Sequence, residues 1–188
     1  MDNFDSNTYW EKRYFEDGTS GAGSYGIDAI SKSKYINELI DKCNISTIND
    51  YGHGDGNQLR YITGFKRYTG YDVSTTARRK CRSMFNNPNY SFIDHPSKFE
   101  EADLALSLDV LYHLVDWDVY EDYMKRLFSI GKFVLIYSCD IEQVEPRNAH
   151  CRTRVFTPYV KAHFPSFELV DVNNVLHDSI AMYLYKKK

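Results

Sequence analysis

The stretch Asp50-Tyr51-Gly52-His53-Gly54-Asp55-Gly56 limits what this chain can fold into more than any other. It follows the strand-like run Thr47-Ile48-Asn49 and precedes the apolar start of a further element at Gln58-Leu59. Glycine tolerates backbone conformations closed to other residues and lets the chain approach a neighbour or ligand closely. A strand, a glycine-rich turn and a helix N-terminus together form the nucleotide-binding corner of doubly wound α/β folds. Here the glycines alternate, giving Asp-x-Gly-x-Gly-x-Gly rather than the Gly-x-Gly-x-x-Gly of dinucleotide binders.

The remaining pattern agrees with an α/β sheet. Residues 1–26 are polar and aromatic and end in the small-residue stretch Thr19–Gly26, the composition of an ordered arm or lid. Ile36, Leu39, Ile40 and Cys43 recur at the spacing of one buried helical face, which predicts a helix from Ile27 closed by Asn44. Strands are predicted at Thr47–Tyr51, Tyr68–Val73, Tyr90–Asp94, Ala102–Asp109 and Phe133–Tyr137. Helices are predicted after Gly56, over Thr75–Phe85 and around Val119–Phe128, the last capped by Gly131. Phe156–Phe164 reads as a helix stopped by Pro165, and Phe167–Val172 and Ser179–Tyr185 as an antiparallel pair. Strands alternating with helices, then a closing hairpin, predict a mostly parallel sheet with antiparallel character at one edge. Neither a repeat nor a linker interrupts the pattern, so one domain over residues 1–188 is expected.

Composition removes several classes. A net charge of −3 does not advertise nucleic-acid binding. The four cysteines form no C-x-x-C pair, so no metal site is expected. No apolar run reaches membrane-spanning length, and with no signal-like N-terminus a reducing cytoplasmic location is expected.

The order of these pieces resembles class I S-adenosylmethionine (SAM)-dependent methyltransferases. Tyr9–Tyr14, Ser20–Gly26, Gly54–Leu59 and Leu106–Leu114 are similar to a group of small, standalone bacterial and phage-type members. The resemblance implies a Rossmann-like, doubly wound seven-stranded sheet in the order 3-2-1-4-5-7-6, strand 7 antiparallel, with helices on both faces. It implies SAM as cofactor, with Asp50, Gly52, Gly54 and Gly56 at its methionine end. Asp72, followed by Val73, would accept hydrogen bonds from the ribose hydroxyls, a task suited to an ionised carboxylate. Asp94 would meet the adenine amine, with Phe92 or Ile93 on the base, and Leu108 and Asp109 would face the sulfonium. His53 departs from the usual small residue and would narrow the site or touch the SAM carboxylate.

Each signal also has a plainer reading. His113 and Tyr112, just after the fourth strand, are either packed structural residues or acceptor-side groups; His113 and Asp109 are the candidate general bases. Trp10, Arg13, Tyr14 and Tyr25 either pin the arm or cover the cofactor. Arg78-Arg79-Lys80-Arg82 reads as a solvated helix face. His150, Arg152 and Arg154, after the fifth strand, are candidates to meet an anionic acceptor. Asn87-Pro88-Asn89-Tyr90 superficially matches a signature of nucleobase amino-methyltransferases, but it precedes the third strand, where it cannot reach the methyl group. A small-molecule or sugar-like acceptor is therefore expected, with nucleic acid unsupported and oligomeric state open. Two rival readings are a SAM-binding partner or regulatory subunit without turnover, and an NAD-dependent Rossmann oxidoreductase.

Overall fold

The computed structural model describes residues 4–142, 149–177 and 179–188; residues 1–3 of the predicted arm lie outside them. Its core is a seven-stranded sheet in the order β3-β2-β1-β4-β5-β7-β6. The strands are β1 (Thr47–Tyr51), β2 (Arg67–Tyr71), β3 (Tyr90–Phe92), β4 (Ala102–Leu108), β5 (Gly131–Ser138), β6 (Phe167–His177) and β7 (Ile180–Lys187). Strands β1 to β5 run parallel, and β7 pairs antiparallel with both β5 and β6. This is the predicted fold and strand order.

Five α-helices accompany the sheet: α1 (Ser6–Phe15), α2 (Gly26–Cys43), α3 (Thr75–Met84), α4 (Trp117–Leu127) and α5 (Thr157–His163). Each forms for a local reason. Asp5 caps α1 by accepting from the amides of Asn7 and Thr8, and Ser74 and Asp116 cap α3 and α4 in the same way. Asn44 ends α2 in the left-handed conformation that asparagine tolerates. One apolar cluster joins Ile36, Leu39 and Ile40 of α2 and Cys81 of α3 to Ile48, Leu104, Leu106 and Leu135 of the sheet. A second joins Tyr123, Met124 and Leu127 of α4 and Val160 of α5 to Ala105, Val134 and Ile136. Adjacent residues of β4 and of β5 fall in different clusters, as expected of strands covered on both faces.

Two local expectations are corrected, and the form of the N-terminal arm is added to a third. The helix expected after Gly56 is a single 3-10 turn, Gln58–Tyr61, because Thr63 and Gly64 follow at once and β2 begins at Arg67. Gly131 does not cap α4. It opens β5, where a Cβ would stand 2.7 Å from the Ala105 backbone nitrogen. The predicted arm is a capped helix, α1, with Tyr14 only 3% exposed.

Candidate active site

A cavity of about 280 Å³ opens at the C-terminal ends of β1, β2 and β4, where doubly wound sheets keep their ligands. The glycine loop forms its floor. The Gly52 amide donates to the Tyr71 carbonyl at 2.7 Å, and its φ of 105° is open to glycine almost alone. A Cβ on Gly52 would stand 2.5 Å from Val110 Cγ2. On Gly54, with φ of 61°, it would stand 2.2 Å from Ser20 Oγ. Gly56 faces away from the cavity, toward Cys81 and Phe85. The glycines thus admit three different neighbours: the segment after β4, the N-terminal segment, and helix α3.

The N-terminal segment covers the floor. Trp10 and Tyr14 of α1, with Ser20 and Ser24, line the cavity. Asp55 holds this cover down, accepting from the Ser20 amide and the Tyr25 hydroxyl, both at 2.8 Å. Glu11 fastens α1 to the start of α3, accepting from Ser74 Oγ at 2.6 Å and Thr76 Oγ1 at 2.7 Å. Burial raises the pKa of Glu11, but these hydrogen bonds prevail and hold it at about 2.

Asp50 stands at the end of β1, 4% exposed. Its Oδ2 accepts from the Tyr68 hydroxyl at 2.8 Å, while its buried Oδ1 has no partner. Burial raises its pKa from 3.8 to about 7, against the lowering effect of Tyr68. Asp72 follows β2 and also lines the cavity. Its Oδ2 accepts from the Gly54 amide at 3.0 Å and its Oδ1 from the Ser74 amide at 2.9 Å. Each of its oxygens keeps a further lone pair for a ligand hydroxyl. His53 is buried, with Nδ1 2.8 Å from the Gly54 carbonyl and 3.4 Å from Cys81 Sγ. Burial lowers its pKa, so it sits neutral beside Asp72.

Asp109 has φ of 61°, a strained conformation for a residue with a Cβ. One of its oxygens is ion-paired with Lys32, whose side chain is fully buried, and the other accepts from the Tyr112 hydroxyl at 2.7 Å. Both oxygens of this carboxylate are thus engaged by the protein's own groups. Lys32 is the functional residue that sequence reasoning missed. Its signal was present: it lies four residues before Ile36, on the buried face of α2, where a cation requires a buried acid.

His113 is on the cavity wall, in the 3-10 turn Leu111–His113 after β4. Its Nδ1 lies 2.9 Å from the His150 carbonyl. A carbonyl only accepts, so Nδ1 carries the proton and Nε2 the lone pair. Burial lowers its pKa to about 4.

The other expected site residues fall elsewhere. Leu108 and Val73 line the cavity. Asp94 does not: β3 ends at Phe92, and Asp94 stands exposed, ion-paired with Lys98 at 2.6 Å. Phe92 belongs to the core and packs edge-on against His53, and Ile93 packs at the second cluster. Tyr112 is turned from the cavity to Asp109. Arg154 is buried, donating to the carbonyls of Leu114 and Val115 at 2.6 Å and lying over the Tyr120 ring. It is committed to the protein and unavailable to an anion. Arg152 is exposed and His150 stacks between Tyr9 and His113; neither lines the cavity. In the basic run of α3, Arg79 and Arg82 are exposed, while Arg78, Lys80 and Arg82 donate to the carbonyls of Asp72, Tyr14 and Phe92.

Among the described residues, four aspartates line the cavity (Asp50, Asp72, Asp109 and Asp122), with no lysine or arginine. That charge balance suits a cation. SAM carries an ammonium and a sulfonium, and the residues present fit it: an unpartnered buried carboxylate oxygen, a floor opened by Gly52 and Gly54, and a second carboxylate with spare lone pairs.

Residues 49–136 match the family model described as a methyltransferase domain. No curated protein sequence matches the chain. Magnesium protoporphyrin IX methyltransferase (ChlM) from Synechocystis PCC 6803, solved with bound SAM, is similar in structure with TM-score 0.70 and 11% identity, over 100% of both chains. The N-methyltransferase NodS from Bradyrhizobium japonicum WM9, in complex with S-adenosyl-L-homocysteine, gives TM-score 0.68 and 14% identity over 99% of both. The methyltransferase domain of bacterial CtHen1 gives 0.63 and 17%, over 83% of this chain and 97% of that one. The fold is that of the class I methyltransferases, the class whose cofactor is SAM. The match to the methyltransferase-domain model falls on the part of the chain that carries most of β1, strands β2 to β4 and most of β5.

Proposed function

We propose that this protein transfers the methyl group of SAM to a small-molecule or sugar-like acceptor by in-line displacement. The observation that carries the reading is the acidic cavity over a loop in which Gly52 and Gly54 leave the backbone open to approach. A dinucleotide would bring a pyrophosphate into a site lined by aspartates without a lysine or arginine among the described residues, which disfavours an NAD-dependent oxidoreductase. That one similar solved protein is a magnesium protoporphyrin IX methyltransferase supports a small acceptor.

SAM, when bound, supplies an activated methyl group on a positively charged sulfur; the protein supplies position and electrostatics. Asp50 Oδ1 takes the ammonium, and Gly52 and Gly54 let the methionine end approach the backbone. Asp72 accepts from the ribose hydroxyls. With Asp94 remote, Tyr71, Val73 and Val110 are the candidate neighbours of the base. Trp10 and Tyr14 close the site against water. Alignment of acceptor and methyl accounts for on the order of 7–11 kcal/mol in favourable intramolecular cases. His113 stands on the acceptor wall, where the lone pair of Nε2 serves a departing proton. Asp109, engaged by Lys32 and Tyr112, shapes that end of the cavity.

Calorimetric titration with SAM and, separately, NAD tests the reading. Micromolar SAM binding, about −8 kcal/mol, is expected; tight NAD binding without SAM heat overturns it. Methyl transfer in an acceptor screen separates the enzyme from a binding subunit.

A further inference from the structure

At the wall of the cofactor cavity, His113 stands in a cluster with two residues that have no part in the proposed methyl transfer. The ligand atoms of His113, His150 and Cys151 lie within 4.8 Å of one another. Two chain segments far apart in sequence supply them: the turn after β4, and the connection that leads from β5 to α5. The Arg152 amide, donating to the Tyr112 carbonyl at 2.7 Å, holds the two segments together. All three residues are partly buried, beneath aromatic rings of α1. Tyr9 stacks on His150 with centroids 4.8 Å apart, and Trp10 meets His113 edge-on at 4.9 Å.

From these residues we infer that His113, His150 and Cys151 form a binding site for a zinc-class divalent ion. The distances fit. Zinc lies about 2.3 Å from a thiolate and about 2.0–2.1 Å from an imidazole nitrogen, so tetrahedral ligands of these kinds stand about 3.6 Å apart. Cys151 Sγ stands 3.5 Å from His113 Nδ1. The His150 ring must shift to complete the set; its stacking on His113, with centroids 5.6 Å apart, puts it near enough. The donors also fit. Two imidazoles and a thiolate suit zinc and cobalt, whereas hard ions such as magnesium prefer oxygen. The three ligands leave a fourth position for water or a donor atom of the acceptor, as in zinc sites that take part in reactions.

The chemistry balances without a redox partner. The Cys151 S–H bond breaks, its proton goes to solvent, and a metal–sulfur bond forms. His113 gives up the hydrogen bond from Nδ1 to the His150 carbonyl, binds the ion through Nδ1, and takes its proton on Nε2 through solvent. One proton leaves per ion bound. The loaded protein then presents an N–H at His113 Nε2 in place of a lone pair. Metal binding and general-base action by His113 exclude each other, so the ion would change which acceptors the wall can serve. The site stands on its own geometry and survives failure of the methyltransferase reading.

The test is titration of chelator-treated, reduced full-length protein with Co²⁺, followed by its absorption spectrum. One equivalent should give the strong visible bands of four-coordinate cobalt and a thiolate charge-transfer band, and Zn²⁺ should displace it. Cys151→Ser should abolish the charge-transfer band, and His150→Ala should weaken binding at least tenfold. Cys139→Ser should leave the spectrum intact. Melting curves and SAM titrations on each variant report that the protein is folded. A folded wild type that leaves cobalt in its weak aqueous spectrum overturns the inference. So does a charge-transfer band that survives Cys151→Ser or disappears with Cys139→Ser.

Discussion

Asp50→Asn isolates the buried carboxylate at the heart of the cavity. In the folded protein the pKa of Asp50 is raised from 3.8 to about 7, chiefly by burial. The acid form is therefore the one the fold favours. Below pH 3.8 Asp50 carries its proton in both folded and unfolded chains, and its full contribution is present. As the pH rises the unfolded chain ionises while the folded one holds its proton, so stability falls. Above pH 7 both are ionised and the loss levels off. At about 1.4 kcal/mol per pKa unit, the total is on the order of 4 kcal/mol. Asparagine keeps the shape and an acceptor for the Tyr68 hydroxyl, but it does not titrate.

The assay is urea unfolding of ligand-free wild type and Asp50→Asn from pH 4 to pH 8. The stability of wild type relative to the variant should decline by about 4 kcal/mol across that range. Taking the difference cancels the other titrating groups. SAM adds a second readout. An ammonium at Oδ1 favours the carboxylate, so binding near pH 6 should release close to one proton and binding above pH 8 almost none. Calorimetry in two buffers of different ionisation heat measures this. A stability difference that stays flat with pH refutes the buried, proton-holding Asp50. Proton release that persists in Asp50→Asn refutes its link to the ligand.

Asp72→Ala should weaken SAM binding by roughly 1.5–3 kcal/mol for each charged hydrogen bond lost, and it should also lower the melting temperature, because the amides of Gly54 and Ser74 lose their acceptor. Gly54→Ala places a Cβ 2.2 Å from Ser20 Oγ; limited proteolysis should show the N-terminal segment cut faster, with SAM affinity reduced. Lys32→Met leaves Asp109 without its cation and should cost about 3 kcal/mol in denaturant titrations, much of it recovered in Lys32→Met/Asp109→Leu. His113→Ala should leave SAM affinity nearly intact and lower turnover by ~10²-fold; a lower melting temperature with normal turnover per folded molecule would assign His113 a structural part alone.

Where local chemistry decides an element, the sequence reveals it. Strand β1 falls at Thr47–Tyr51 as predicted, because the glycine loop ends it. Asn44 closes α2 through its tolerance of left-handed backbone. The expected helix after Gly56 had the composition but not the length. Side-chain roles set by tertiary partners were harder to see. Nothing local to Arg154 announces that the carbonyls of Leu114 and Val115 will claim it. Asp94 has the right position in the chain, yet β3 stops short and leaves it at Lys98. Asp50 was expected to meet an ammonium, but Tyr68 as its partner and the raised pKa follow only from the packed sheet. Distance in sequence also hid the grouping of His113 with His150 and Cys151, which no C-x-x-C spacing announces.

The Lys32–Asp109 pair bears on the proposal that this cavity serves transfer as well as binding. A cavity that only had to hold the two cationic groups of SAM would do best with the carboxylates beside them bare. Transfer to a neutral acceptor spreads the sulfonium charge toward the acceptor in the transition state. A bare carboxylate beside the sulfur would stabilise the ground state more than the transition state and slow the reaction. Asp50, assigned to the ammonium, faces a charge that does not change during transfer, and its free oxygen costs nothing in rate. Asp109, assigned to the sulfonium side, faces the charge that does change, and it is the aspartate whose charge a fully buried lysine neutralises. The two acids are handled oppositely, in the sense the reaction requires.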